Sequence, residues 1–499
     1  MHKRANKVEK VSTPHRIRTM DQYEQRRAEL MKHIGDDVAV VSAAFETVRN
    51  NDTHHTFHQS SNFFFLTGFG EPDAVALFDP THDEPYVLFV RPHDPELEAW
   101  NGRRAGVDGA VTDFGADAAF PIDDLGKVLR SRLLGREALW YTIGGANDPQ
   151  VLGAVDRARA QHLRTGETVP TAIRNAAALV GEMRVIKSAD EIDLLREACR
   201  ISAEGHVEAM RFAAPGLAEH AVETAMEFTW RSLGGRHDGY PSIVASGDNA
   251  CILHYTENDR TMEDGDLLLV DAAAEVEHMS ADITRTFPVN GVFTAPQRAL
   301  YDVVLAAQED VIAACKPGLP YSDMHDIAVK TLTEGMVDLG LLPGPVDDAI
   351  GFGWYRQFYF HGTGHWLGLD VHDSGAYRVD GKGRPLEPGM VFTIEPGIYV
   401  AREKATVELH RDPYDAQAAL DFAYLEGAAE AKRATEERKE AAESFTHTVP
   451  DEYLGIGVRI EDDVLVTADG IENMSRGVPV DPDEIEVLAS EGSTVPSGS

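Results

Sequence analysis

The sequence predicts two successive domains, an α/β domain followed by an α+β domain. Three observations lead there. At 499 residues the chain exceeds what one ordinary hydrophobic core supports. Up to about residue 170, short apolar runs bounded by Gly, Pro or Asp alternate with helical patterns. Beyond that point long amphipathic stretches separate strand-like runs that are spaced to pair as hairpins.

Residues 1–20 carry mixed charge without an apolar period and are expected to be a mobile lead-in. In the N-terminal domain, 21–172, the pattern from Asp21 to Leu30 predicts a helix and Asp37–Ala44 a buried strand. Phe63–Leu66, Ala74–Phe78 and Tyr86–Val90 read as further strands, followed by helices at about 95–101, 121–134 and 149–161 and a strand at 138–143. The C-terminal domain, 173–485, starts with an amphipathic helix from Ser188 to Phe212, where Ser188 and Glu191 have the spacing of a capping box. Strands are expected at 267–271, 282–289, 390–400 and 457–467, with helices at 296–315 and 322–339. An Ala/Glu/Lys/Arg-rich stretch at 413–444 marks a helical insertion within about 401–450, and residues 486–499 form a Ser/Gly/Pro-rich flexible tail.

Composition narrows the function. The chain is 43% hydrophobic and 26% charged, and its 46 basic against 83 acidic residues give a formal charge of −37. That sign argues against nucleic acid as a partner and against anionic membranes. No run of about 18 apolar residues predicts a membrane span. The basic start Met1-His2-Lys3-Arg4 continues into polar residues rather than a signal core, so a cytoplasmic location is expected. Cys199, Cys251 and Cys315 are odd in number and outside any CxxC spacing, which predicts reduced, packed thiols.

The chemistry is carried by acidic and imidazole groups placed where apolar runs end. Asp271 closes Leu267–Val270, and Asp282, eleven positions on, opens the next strand-like run. A hairpin would bring these carboxylates together, and their repulsion then calls for a proton or a cation. Glu395 follows Met390–Ile394, and Glu461 follows Gly457–Ile460. Carboxylates in such poorly solvated places need cations, and Arg459 supplies one charge only. His361, His365 and His372 fall within twelve positions. The pair 361/365 has the spacing of a helical zinc pair, but Gly362 and Gly364 are poor helix formers, so a loop bearing one ligand fits better. Four carboxylates and one imidazole suit two divalent ions, Mn²⁺ before Co²⁺ or Zn²⁺. Such a pair can hold a hydroxide between its members, which points to amide hydrolysis.

Six segments, in this order, resemble the "pita-bread" metallopeptidases and, among them, the proline-specific aminopeptidases (aminopeptidase P, Xaa-Pro aminopeptidase). They are Cys251–Asn258, Val270–Ala272, Ala281–Gly291, His361–Asp373, Thr393–Tyr399 and Gly457–Asp463. Asn62–Ala74 and Trp100–Arg104 extend the likeness into the first half. The resemblance implies a C-terminal pita-bread catalytic domain behind an N-terminal α/β creatinase-like domain. It implies that Asp271, Asp282, His365, Glu395 and Glu461 are the metal ligands, with Asp282 and Glu461 bridging. It further implies that His254, His361 and His372 bind substrate or move protons, that Glu395 is the general base, and that Arg459 and, more weakly, Tyr240 support the carboxylates. The implied substrates are peptides with proline in second position, and the implied assembly is a homo-oligomer, tetramer before dimer. Prolidase, a dipeptidase on the same fold, is the nearest alternative. Methionine aminopeptidase lacks so long an N-terminal domain, and non-metal relatives lack the ligands. The first-histidine motif departs from the family pattern, reading Gly-Thr-Gly in place of Gly-Leu-Ser, and the 66 positions between Glu395 and Glu461 exceed the usual bacterial spacing.

Overall fold

A computed structural model describes residues 20–413, 428–493 and 495. The lead-in expected at 1–20 therefore lies, but for its last residue, outside the described residues. The chain divides into two compact units, Met1–Met183 and Arg184–Ser499.

In the first unit, helix Met20–Ile34 precedes a six-stranded mixed sheet. Its order is Ala118–Pro121, Tyr86–Val90, Val75–Phe78, Val38–Ser42, Ala138–Tyr141, Ala172–Arg174. Val38–Ser42 pairs antiparallel with Val75–Phe78 and parallel with Ala138–Tyr141. The continuous apolar strands 75–78 and 86–90 are buried along their whole length, as strands covered on both faces must be. Helices Leu125–Arg132 and Asp148–Thr165 cover the sheet with Leu125, Leu129, Val151 and Val155. The unit runs past residue 172 because Ala172–Arg174 is its edge strand and helix Ala176–Met183 follows within it.

One expected strand is a helix. Phe63–Leu66 lies within helix Ser61–Thr67, closed by Gly68 at φ 64°. All of Phe63, Phe64, Phe65, Leu66 and Thr67 are buried, so this short helix is apolar on every side. A four-residue apolar run carries no period with which to tell that case from a strand.

The second unit is α+β. Ser188 and Glu191 form the capping box that starts helix Ala189–Phe212, which packs with helix Glu219–Leu233; Ala295–Ala314 and Tyr321–Asp338 form a second pair. Strand Leu267–Asp271 pairs antiparallel with Ile243–Ser246 and with Thr284–Pro288, setting Asp271 opposite Thr284. The long runs expected at 390–400 and 457–467 are each two strands. Val391–Ile394 pairs with Asp462–Val466, whereas Gly397–Val400 pairs with Ile456–Arg459 in a different sheet. The chain changes sheets at Glu395-Pro396 and again at Ile460-Glu461, so both glutamates sit at breaks in the pairing.

The insertion is only partly helical. Thr406–His410 and Ser444–Thr448 pair as an antiparallel ladder, and helix Ala428–Ala441 lies between them. Val407 and Leu409 are buried while Thr406 and Glu408 are exposed, a period-2 alternation that the Ala/Glu/Lys composition of the whole stretch overrode. Residues 414–427 of the expected helix lie outside the described residues. Residues 486–489, expected in the tail, belong to helix Pro482–Ala489, which Asp481 caps and Ile485 anchors in the core. Among the described residues no helix is long and apolar enough to cross a membrane.

Candidate metal centre

The breaks and the hairpin converge on one cavity of about 230 Å³. It is lined by Leu253, His254, Asp271, Asp282, His361, His365, His372, Glu395, Arg459 and Glu461. Every side chain singled out from the sequence for a direct role therefore faces the same space. Asp271 arrives at the end of strand Leu267–Asp271, and Asp282 two residues before its partner strand. Glu395 and Glu461 arrive from the two sheet switches, and the bridge between Thr284 and Glu461 ties the second switch to the Asp hairpin. His361 and His365 lie on a non-helical loop. The zinc-pair geometry is thus absent from this segment, as the glycines foretold. A Cβ at Gly364 would stand 1.9 Å from the Thr393 carbonyl oxygen, so this close pass of loop and strand requires glycine.

Asp282 Oδ2 stands 3.3 Å from His365 Nε2, and Glu395 Oε1 is 3.8 Å from the same nitrogen. Donor atoms of Asp282, His365 and Glu461 all lie within 4.8 Å of one another. His365 Nδ1 is 3.0 Å from the Trp366 carbonyl oxygen and must donate to it, which leaves Nε2 to face the carboxylates. Arg459 donates to Asp271 Oδ2 at 2.6 Å, to Tyr399 Oη at 3.0 Å and to Thr284 Oγ1 at 3.2 Å. Tyr240 donates to Asp271 Oδ1 at 2.6 Å, in the supporting place expected of it. His372 packs edge-on against His365 at 4.3 Å, and His254 is exposed at the mouth.

Two partners escaped the sequence reading. Tyr399 links Arg459 to His361 Nε2 at 2.9 Å, and Thr284 donates to Glu461 Oε2 at 2.7 Å. Tyr399 lies four residues after Glu395 and Thr284 two after Asp282, but neither pair shares a strand, so nearness in sequence to a carboxylate was the one signal that marked them.

The electrostatics of the cavity favour bound cations. Among the described residues lining the cavity, Arg459 is the one permanent cation against four carboxyl groups. Burial raises Glu395 to about 7, and neighbouring Asp282 and Asp271 push the same way against His365 and Arg459. Burial raises Asp271, against Arg459, and burial together with Asp282 and Glu395 raises Glu461 well above the usual carboxylate range. Burial pulls His365 down, but its hydrogen bond to Asp282 and the surrounding carboxylates outweigh this and lift it to about 9. Groups under this strain fit divalent cations: three mutually close donors with an imidazole nitrogen aimed at carboxylate oxygens are a hard-to-borderline ligand set.

A stability prediction follows from the signs. Unfolding returns His365 to its ordinary value near 6.5, so between about 6.5 and 9 the folded, metal-free protein holds a proton that the unfolded chain has lost. Glu461, raised in the fold, acts in the same direction. The melting temperature of chelated protein is expected to fall from pH 7 to 9, and saturating Mn²⁺ to flatten that slope. Scanning calorimetry of both forms across the window checks it, and equal slopes would contradict it.

Comparison with known proteins identifies the family. Residues 193–468 match metallopeptidase family M24, and residues 23–140 match the aminopeptidase P N-terminal domain. The chain is 38% identical to the Xaa-Pro aminopeptidase of Haemophilus influenzae over 94% of its own length and 97% of that protein's. It is 30% identical to human Xaa-Pro aminopeptidase 3, over 95% and 86% of the two chains. Among solved structures it resembles Pseudomonas aeruginosa aminopeptidase PepP, with TM-score 0.83, 40% identity and coverage of 95% and 98%. It also resembles Zn-substituted Escherichia coli aminopeptidase P in complex with product, with TM-score 0.82, 37% identity and coverage of 95% and 98%. The second unit is accordingly a pita-bread domain, and the chain belongs to metallopeptidase family M24, with an N-terminal domain of the aminopeptidase P type.

Proposed function

We propose that this protein is a dinuclear Xaa-Pro aminopeptidase, which hydrolyses the bond between an N-terminal residue and a following proline. The observation that carries the reading is the convergence of Asp271, Asp282, His365, Glu395 and Glu461 on one cavity that also presents His254, His361 and His372. Asp271, Asp282, His365, Glu395 and Glu461 are the ligands of two divalent ions, Mn²⁺ by preference and Co²⁺ or Zn²⁺ as substitutes, which when bound supply a hydroxide nucleophile at neutral pH and polarise the scissile carbonyl.

The rest of the chemistry falls to the chain's own groups. Glu395, whose carboxyl also stands 3.6 Å from His361 Nδ1, is the group that takes the proton from the nucleophile and returns it to the departing proline nitrogen. Arg459 holds the Asp271 carboxylate on one side and the Tyr399 phenol on the other. His361, with Nε2 accepting the Tyr399 hydroxyl, lines the cavity together with the more exposed His254 and His372, and these are the groups that meet the substrate. The proposal extends to a homo-oligomer in the cytoplasm, tetramer or dimer, the assembly being what the family resemblance implies.

The test is mass analysis of products from Xaa-Pro and Xaa-Pro-Yaa peptides before and after chelation and reloading with Mn²⁺. Release of the first residue from Xaa-Pro-Yaa, loss of that activity on chelation, recovery with Mn²⁺, and rejection of N-acetylated peptides are the expected results. Efficient cutting of acetylated peptides would exclude an aminopeptidase, cutting of dipeptides alone would make the protein a prolidase, and turnover in protein shown by elemental analysis to be metal-free would exclude the metal mechanism.

A further inference from the structure

The loop that carries His361 and His365 passes through two glycines, and glycine confers little stiffness on a backbone that must hold two imidazoles in place. Its one anchored side chain between them is Thr363, which is 4% exposed. The Thr363 hydroxyl lies 2.6 Å from Tyr359 Oη and 2.9 Å from His325 Nδ1, forming a continuous hydrogen-bond chain from the loop to helix Tyr321–Asp338. Tyr359 is fully buried and packs edge-to-face on the His361 ring at 5.0 Å. On its backbone side the Thr363 carbonyl accepts the Glu395 N–H at 2.8 Å. Two residues further, His365 and Thr393 exchange backbone and side-chain bonds: the Thr393 N–H reaches the His365 carbonyl at 2.9 Å, and the His365 N–H reaches Thr393 Oγ1 at 3.2 Å. The loop is therefore stitched to strand Val391–Ile394 along its length and tied to helix Tyr321–Asp338 through Thr363.

We infer that Thr363 is a positioning residue: its hydroxyl, clamped between Tyr359 and His325, sets where the His361–His365 loop and the Glu395 backbone stand. A leucine or valine here would fill the space without reaching either partner. Tyr359 Oη and the His325 ring nitrogen would then lose the buried group that fixes them, and buried polar atoms left without a partner relax toward other contacts. Ligand-orienting hydrogen bonds of this kind typically govern metal affinity or activity by 10 to 100-fold. The inference rests on the proposed ligand role of Glu395 and His365, and its test reads metal affinity directly so that it does not stand or fall with the peptide specificity.

The experiment is calorimetric titration of chelated protein with Mn²⁺ for wild type, Thr363→Val, Thr363→Ser and His325→Phe, with steady-state rates on an Xaa-Pro-Yaa peptide alongside. Thr363→Val is expected to weaken Mn²⁺ binding about tenfold, Thr363→Ser to recover it to within about twofold, and His325→Phe to show a smaller loss in the same direction. Mn²⁺ affinity within about twofold of wild type in Thr363→Val overturns the inference, as does failure of Thr363→Ser to recover what Thr363→Val loses. If Thr363→Val does not fold, wild-type affinity in His325→Phe overturns it. A wild type that binds Mn²⁺ yet does not cut the peptide would remove the proposed activity, while the affinity series would still decide the role of Thr363.

Discussion

Asp282→Asn and Glu461→Gln are each expected to abolish turnover, by more than about 10³-fold, while leaving the fold intact. Both residues belong to the group whose donor atoms lie within 4.8 Å of one another, and both are almost fully buried, so neither can be replaced by a neighbour swinging in from solvent. Asparagine and glutamine keep the shape but exchange a charged oxygen pair for one neutral oxygen and a donor that repels cations. The local hydrogen bonds tolerate the change: Thr284 still finds an acceptor oxygen on residue 461, and the Asp282 backbone N–H still reaches Asp463 Oδ2 at 2.9 Å. In the metal-free protein Glu461→Gln relieves a self-repelling cluster, so its melting temperature is expected to stay level or rise, whereas Asp282→Asn gives up the charged bond to His365 and is expected to be no more stable than wild type. Rates and elemental analysis on loaded variants, with calorimetry on the chelated ones, check both halves. Near-normal rates in either variant would show the ligand set to be wrong, and a collapsed melting temperature would show the loss to be one of folding.

The four carboxylates that line the cavity were legible in the sequence because each violates a local rule. Asp271, Glu395 and Glu461 end apolar runs where a carboxylate has no business being dry, and Asp282 starts one. Such violations mark places where something outside the chain restores the balance. The breaks that put them there were not legible. The runs 390–400 and 457–467 are apolar on both sides of Glu395 and Glu461, so a strand that changes sheets looks the same as one that continues; only Pro396 hinted at the switch. Phe63–Leu66 failed for a related reason, since an element buried on every side has no polar face to reveal its period. Tyr399, Thr284 and Thr363 stayed hidden because a hydroxyl is compatible with core, turn or surface, and each has a partner far along the chain, His361 and His325 at 38 positions and Glu461 at 177. Acidic residues announce themselves by their cost, and hydroxyls do not.

His361 and His365, four residues apart, are expected to behave differently when replaced by alanine. His361 has both ring nitrogens engaged: Nδ1 stands 2.7 Å from the Gly362 carbonyl oxygen and so must donate, which leaves Nε2 to accept the Tyr399 hydroxyl at 2.9 Å. Burial, helped by Arg459, holds it neutral by lowering it to about 3. His365 instead has Nδ1 fixed on the Trp366 carbonyl and turns Nε2 to Asp282 and Glu395, the arrangement of an imidazole that ligates a cation. His365→Ala is therefore expected to lose metal and turnover together. His361→Ala is expected to keep its metal and lose turnover by roughly 10- to 100-fold, because it removes the acceptor that fixes the Tyr399 hydroxyl beside Arg459. Elemental analysis and kcat on both variants decide it: equal metal loss from the two would return His361 to the set of ligands, and unchanged kcat in His361→Ala would remove it from the reaction.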